Sequence, residues 1–306
     1  MPTSPALSTA PRFLVGIDGG GSGTRARLAD AQGRVLGSGR AGPSALGQGV
    51  AQAWRHIGQA LDAAFAAAGQ VRPPDHEVAL GLGLAGIERP ARRDEFAAAD
   101  PGFARCAVFS DAQTTLRGAF GGGPGVVIAA GTGSIGLAQG RDGAQRRVGG
   151  WGFPAGDEGS GAWLGLRAMQ AAQGALDGRA PAGPLARAVW RIAGADADTL
   201  LHWCEGAGQH AYAQLAPAVF DAAHDGDPAA AALLDAAAAE LARHIDALSM
   251  NPSADQDLPI VLAGSIGQRL QDRLPPTLRA RCVAPLGDSA DGALALLRDT
   301  LRETPR

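Results

Sequence analysis

Two glycine turns at matching places restrict the fold of this chain more than any other feature. Residues 13–30 read FLVGIDGGGSGTRARLAD: an apolar run ending in Asp18, a turn of almost bare backbone, and a second run with polar alternation. Residues 125–138 read GVVIAAGTGSIGLA, with the same order of apolar run, turn and second run. Each stretch predicts a β-hairpin. Gly131, Thr132, Gly133 and Ser134 fall where Gly19, Gly20, Gly21, Ser22, Gly23 and Thr24 fall in the first. Third strands are expected at 34–42 and 145–149. A repeat of this length predicts two similar domains facing each other. Either turn alone is compatible with an ordinary hairpin. The alternative is an anion site, because clustered Gly, Ser and Thr present N–H and hydroxyl donors to a ligand that comes close to the backbone. Two such turns could grip a polyphosphate from both sides. Asp18 would then face phosphate, and a carboxylate in that place calls for a cation in between, which suggests Mg²⁺.

The remaining pattern alternates strands and helices. Residues 51–68 carry Trp54, Ile57, Leu61 and Phe65 at spacings of three and four, the apolar face of an amphipathic helix with Trp54 in the core. The apolar runs 77–86 and 105–110 read as buried strands, and 90–99 and 111–120 as helices. The first part is therefore βββαβαβα. After the second hairpin, 149–161 (GGWGFPAGDEGSG) fits no regular element. A helix is expected to begin at 160–172, within a helical region reaching about residue 250. In that region Asp227 and Pro228 form a good helix start. Residues 259–263 read as a buried strand, 264–267 (GSIG) as a helix opening, 281–284 as a last short strand and 288–301 as the closing helix. The expected fold is α/β: two domains, each βββαβα-based, around a central cleft. The expected boundaries are 12–120 plus 288–306 for the first and 121–287, with a helical insertion, for the second. Residues 1–11 are expected to be a disordered tail.

Composition narrows the function classes. The chain has 306 residues, 46% of them hydrophobic, enough for two cores. Net charge is −3, with no basic surface for nucleic acid or an anionic membrane. No apolar run reaches membrane-spanning length, and the start MPTSPALSTAP has neither the basic nor the apolar region of a signal peptide. Cys106, Cys204 and Cys282 are widely spaced and odd in number, which argues for a reducing compartment and against a disulfide frame or zinc knuckle. A cytoplasmic protein is expected. The six histidines show no ligand spacing.

Three further places stand out. Asp111 follows an apolar strand and opens a helix. It could be a helix N-cap, as could Ser110, or a carboxylate at the carboxyl end of a strand that accepts a proton from an attacking hydroxyl. Asp157 and Glu158 lie between Gly156 and Gly159, with Trp151, Gly152 and Phe153 just before them. They read either as a solvated turn or as a sugar site, where hydroxyls meet carboxylates and an apolar sugar face meets a ring. Gly264 and Ser265 form either an ordinary strand-to-helix turn or a backbone surface on which a base or ribose could rest.

Together GIDGGGSGT, SDAQ, IAAGTGS, GGWGFPAGDEGSG, LAGSIG and DSADGAL resemble the actin-like ATPase and sugar-kinase superfamily nearly end to end. The nearest branch is that of bacterial glucosamine kinases and eukaryotic-type N-acetylglucosamine kinases. It shares a family with the activator ATPases of benzoyl-CoA reductase and hydroxyacyl-CoA dehydratase systems. The resemblance implies two ribonuclease-H-like domains and ATP as phosphoryl donor. Gly20, Gly21, Ser22, Gly23, Thr24, Gly131, Thr132, Gly133 and Ser134 would hold the phosphates, Asp18 the Mg²⁺, and Gly264 and Ser265 the adenosine. Asp111 would be the base toward the sugar 6-hydroxyl. Ser44, Asp111, Trp151, Gly152, Asp157 and Glu158 would bind the amino sugar. Relatives suggest a homodimer. Where these kinases carry an Asn after the third strand, this chain has Ala45, with Ser44 or Gln48 as possible substitutes. That departure bears on whether the 2-amino group is acetylated. The alternatives are an activator ATPase, which would need cysteines placed for an iron–sulfur cluster, a kinase for another hexose, and a nucleotide-binding regulator without turnover.

Overall fold

The computed structural model describes residues 10–249 and 257–303. The chain divides into two compact units, Met1–Gly123 with Pro285–Arg306, and Pro124–Ala284. Residues 1–9 of the expected tail lie outside the described residues.

Unit 1 contains β1 (Phe13–Gly19), β2 (Thr24–Asp30), β3 (Val35–Ala41), α1 (Val50–Ala67), β4 (Val78–Leu84), α2 (Pro90–Ala98), β5 (Arg105–Ser110) and α3 (Asp111–Phe120). Unit 2 contains β6 (Gly125–Ala130), β7 (Ser134–Gln139) and β8 (Gln145–Gly149). Six helices follow: α4 (Gly161–Leu176), α5 (Pro184–Ala193), α6 (Ala197–Gly206), α7 (Gln209–Ala213), α8 (Ala216–His224) and α9 (Pro228–Leu248). The unit ends with β9 (Ile260–Ala263), α10 (Gly264–Leu270) and α11 (Pro276–Arg279), and α12 (Ser289–Glu303) belongs to unit 1.

The two sheets share one plan. Unit 1 has the order β3-β2-β1-β4-β5 and unit 2 the order β8-β7-β6-β9. In each, the hairpin strands pair antiparallel and a later strand joins the first in parallel. The hairpin registers close on the glycine turns, with Gly19 opposite Thr24 and Ala130 opposite Ser134.

In β4 every residue is buried, and the two faces differ in size. Val78, Leu80, Leu82 and Leu84 join the large side chains of α1, including Ile57, Leu61 and Phe65. Ala79, Gly81 and Gly83 face the other way, where α12 brings Leu294 and Leu297 to Ala79. A Cβ on Gly81 would lie 2.2 Å from the carbonyl oxygen of Ala293, and one on Gly16 would lie 2.0 Å from that of Ala290. The small residues therefore let α12 pack at backbone distance.

Three expectations need correction. Residues 281–284 do not form a strand: Cys282 makes one isolated parallel bridge to Ile260. The ladder stops after the Ile260 N–H bond to Arg281 and the Val283 N–H bond to Ile260, and Pro285, with no N–H, cannot extend it. Strand β5 is not fully buried, because it is the outermost strand; Arg105 is exposed and Cys106, Val108 and Phe109 are half-buried. Trp54 is half-buried, stacked on Phe96 at 4.3 Å and Phe103 at 5.9 Å.

Candidate active site

In unit 1 the carboxyl ends of β1 and β5 carry Asp18 and Asp111. Strand pairing sets Asp18 level with Gly83 on β4, and Gly83 level with Phe109 on β5, two residues before Asp111. Helix α3 begins at Asp111, yet Ser110 is its cap. The Ser110 hydroxyl accepts the N–H of Gln113 at 3.2 Å, and the Gln113 side chain accepts the Ser110 N–H at 3.0 Å. This reciprocal capping box satisfies two donors at the helix start, those of Ser110 and Gln113. The Asp111 carboxylate takes the adjacent Ala112 N–H at 2.9 Å and is also held by its own backbone N–H. Its pKa is pushed up to about 6, first by lost hydration and further by the charges of Asp18 and Glu88.

Asp18 is paired with Arg25, its cross-strand neighbour in the hairpin. The guanidinium donates from Nε at 2.9 Å and from Nη2 at 2.5 Å to one carboxylate oxygen. Arg25 also lies 3.7 Å from Asp288, at the start of α12. A cation thus already faces Asp18. Among the described residues no group of three or more His, Cys, Asp or Glu is placed to hold a metal.

The first turn is stitched to the loop after β3. The N–H groups of Ser44 and Ala45 both donate to the Gly20 carbonyl at 3.1 Å, and Gln48 donates to the Gly21 carbonyl at 3.1 Å. Thr24 is buried; its hydroxyl donates to the Gly42 carbonyl at 2.6 Å and lies 2.7 Å from the Ser44 hydroxyl. Ser44 is fully buried, and a Cβ on Gly19 would lie 2.3 Å from its oxygen. Thr24, Ser44 and Gln48 therefore hold the shape of the turn. Gly20 differs from Gly19, because a Cβ there would meet nothing nearer than 4.0 Å. The space beside the Gly20 Cα is open.

In unit 2 the second turn lies against the Asp157 carboxyl. Asp157 is only 4% exposed and has φ 62, the one positive φ outside glycine among the described residues. Its Oδ1 accepts the Ser134 N–H at 3.3 Å and its Oδ2 accepts Gln209 Nε2 at 2.6 Å. Burial raises its pKa, the Ser134 bond opposes that rise, and the charge of Glu158 adds to it. The carboxylate lies over Gly133, where a Cβ would sit 2.9 Å from Oδ2. The Ser134 hydroxyl donates to the Glu158 carbonyl at 2.7 Å. Gly133 and Ser134 thus support the 157–158 pair. Gly131 remains open, with nothing within 4 Å of a Cβ, while the carbonyls of Gly131 and Thr132 accept the N–H groups of Gly161 and Ala162.

Glu158 has one carboxylate oxygen buried without a hydrogen-bond partner, 3.9 Å from His244 Nε2. Trp151 is 84% exposed, and a Cβ on Gly152 would meet nothing within 4 Å. Gly264 and Ser265 are exposed at the end of β9. Gly264 has φ +81, and a Cβ there would lie 2.3 Å from the Ala130 carbonyl, so the turn demands glycine.

The structure brings Asp18 and Asp111 to one edge of unit 1, and Gly133, Ser134, Asp157 and Glu158 to one corner of unit 2. Sequence reading missed Arg25, Glu88 and Gln209. Arg25 was recoverable from the hairpin register. Gln209 is 52 positions from Asp157 and carries no motif.

Two sheets of this shared plan, with acidic groups at strand ends and glycine turns in both hairpins, define a mixed α/β protein with the actin-like ATPase and sugar-kinase fold. A ROK family glucokinase from Streptomyces griseus has the same fold, with TM-score 0.57 over 94% of this chain and 99% of that one, at 18% identity. The chain belongs to the BadF/BadG/BcrA/BcrD ATPase family, whose profile matches residues 15–278. It is 37% identical over 283 residues to glucosamine kinase GspK of Vibrio cholerae serotype O1, covering 92% of this chain and 94% of that one. A Chromobacterium violaceum protein provisionally called an N-acetylglucosamine kinase has a crystal structure with TM-score 0.87 and 48% identity, over 94% of this chain and 100% of that one.

Proposed function

We propose that the chain is an ATP-dependent amino-sugar kinase, transferring the γ-phosphoryl group of ATP to the 6-hydroxyl of glucosamine or N-acetylglucosamine. The observation that carries this reading is Asp111: a carboxyl at a helix start that Ser110 already caps, held where its pKa is about 6. The similarity to amino-sugar kinases over nine-tenths of the chain supports it.

In this reading Asp111 accepts the proton of the sugar hydroxyl and orients it. Phosphoryl transfer has a loose transition state, so positioning does most of the work. The open backbone at Gly20 and Gly131 binds phosphate oxygens, with Gly21, Ser22, Gly23, Thr24, Thr132, Gly133 and Ser134 forming or bracing the turns. Bound by Asp18 and the phosphates, Mg²⁺ would neutralise charge on the transferred group. Arg25 would then give up part of its contact with Asp18 and lean on Asp288. Gly264 and Ser265 take the adenosine. Asp157 and Glu158 accept sugar hydroxyls, Trp151 and Gly152 line the sugar, and Ser44 acts from behind the first turn. The three cysteines are free and half-buried, and burial pushes the Cys106 thiol up, which opposes thiolate ligation of a cluster. No helix of the described residues is long and apolar enough to cross a membrane. We place the enzyme in the cytoplasm as a homodimer, which light scattering on the purified protein would check.

The test is ADP release with a panel of hexoses and hexosamines. Release should depend on an amino sugar, and the product should carry its phosphate on the 6-oxygen by ³¹P–¹H correlation NMR. ADP release that no sugar stimulates would sink the kinase reading.

A further inference from the structure

We infer that Gln209, on helix α7, is a positioning residue for the amino sugar: its side-chain amide holds the Asp157 carboxyl aimed as an acceptor for a substrate hydroxyl. The inference rests on the kinase reading for what Asp157 does, but not for how Gln209 holds it.

A carboxylate only accepts hydrogen bonds, so the NH₂ end of the Gln209 amide must face it. At 2.6 Å this contact is shorter than the 3.3 Å from the Ser134 N–H. Asp157 is buried and sits beside Glu158, and both factors favour its neutral form. Ser134 and Phe153 oppose them through their backbones, and the Gln209 amide donates a further hydrogen bond. Gly133 adjoins the carboxyl and has no side chain to fill the space a Cβ would take, 2.9 Å from Oδ2. Three donors meet the two oxygens, which leaves a lone pair for a sugar hydroxyl.

The reach of Gln209 is built in by its helix. One turn further along α7, Tyr212 packs its ring 5.2 Å from that of Phe153, in the same loop as Asp157. A Cβ on Gly165 of α4 would lie 1.8 Å from the Tyr212 carbonyl, so α7 and α4 meet at backbone distance. The loop 149–161 is thus gripped twice by α7, through an apolar pair and a polar one.

The experiment compares Gln209→Ala and Gln209→Glu with wild type. Removing the amide should raise KM for the amino sugar about tenfold, leave KM for ATP within about twofold, and move the acid limb of sugar kcat/KM to higher pH. Gln209→Glu keeps the length and loses the donor, so at pH 8 it should be at least as impaired as Gln209→Ala. A Gln209→Glu enzyme with wild-type sugar KM would show that the position only fills space and would overturn the inference. A readout independent of turnover is the ¹³C carboxyl signal of Asp157, identified by its loss in Asp157→Asn. Its titration should move upward by about one pH unit in Gln209→Ala; an unmoved titration overturns the inference. If wild type phosphorylates no amino sugar, the kinase reading fails, while the ¹³C titration still decides the role of Gln209.

Discussion

At Asp111 the carboxyl that would take a proton from substrate is held away from water, with Asp18 and Glu88 adding negative charge nearby. Its folded pKa of about 6 exceeds the ordinary value near ~3.9. The folded chain therefore holds this proton more tightly than the unfolded chain. The stability it contributes is fully present below about pH 4 and is lost as pH rises through about 6. Asparagine cannot ionise, so Asp111→Asn should remove this penalty above pH 6. A shift of about two units corresponds to roughly 3 kcal/mol; discounted for partial exposure, we expect a gain of about 1–2 kcal/mol at pH 8 and almost none at pH 4.5. Thermal melts at both pH values check this, and equal gains at the two would refute the electrostatic account. The same variant should bind ATP but lose phosphoryl transfer, and wild-type sugar kcat/KM should fall below about pH 6. Asp18 and Asp111 were legible in sequence because each closes an apolar strand. Gln209 was not, because its partner is set by helix packing and no periodicity encodes it. The roles of Ser44 and Thr24 were half legible: the residue types suggested ligand donors, but burial has turned their hydroxyls toward the chain.

Elements meet in this protein through glycines of two kinds, and substitution should separate them. Gly81 on β4 leaves no room for a Cβ beside the Ala293 carbonyl, at 2.2 Å. Gly81→Ala must push α12 off the sheet and should cost about 2–3 kcal/mol or more, in the range of overpacked cores. Gly174 lies near the end of α4, and a Cβ there meets nothing within 4 Å. Gly174→Ala should stabilise by about 0.5–1 kcal/mol, the difference in helix propensity. Chemical denaturation of both variants is the measurement; a neutral Gly81→Ala would mean that α12 is more loosely packed than these distances require. Ser110→Ala would remove the capping box of α3 and should cost about 1 kcal/mol. Most strands and helices were legible from period and from Gly and Pro breaks. The exceptions have physical causes. Residues 281–284 are apolar enough for a strand, but one bridge is all that remains before Pro285. The region from 160 to 250 is predicted as broadly helical, and breaks at 177–183, 194–196, 207–208, 214–215 and 225–227 divide it into six helices. The apolar centre of β5, residues 106–109, hides an edge position that sheet order reveals.

On the scale of the whole molecule, the chain builds unit 1 from its two ends. Helix α12 is the last described element, yet its Leu294 and Leu297 complete the cluster holding Leu14, Ala29, Ala79 and Ala107. Two backbone bonds bring the returning chain in: the Leu286 N–H to the Ala119 carbonyl and the Gly287 N–H to the Gly118 carbonyl, each at 3.0 Å. Arg27 then pairs with Asp288 at 3.1 Å and Asp291 at 2.8 Å, tying β2 to the start of the helix. With Gly121 within van der Waals reach of Leu286, Gly123 and Pro285 can be joined by a few flexible residues. Residues 12–123 linked in this way to 285–303 should fold alone, because every apolar face of the sheet is then covered from within the unit. The expected result is a cooperative thermal transition and emission from Trp54 in its apolar stack against Phe96 and Phe103. The same piece without 285–303 would expose the Gly16 and Gly81 face and one cluster of the core. It should lose cooperativity and bind a hydrophobic dye. If both pieces melt alike, α12 is an accessory and the discontinuous unit is not the folding unit. If the joined piece alone is cooperative, the repeat read from two glycine turns marks the duplication, and the helix at the far end of the chain closes its first copy.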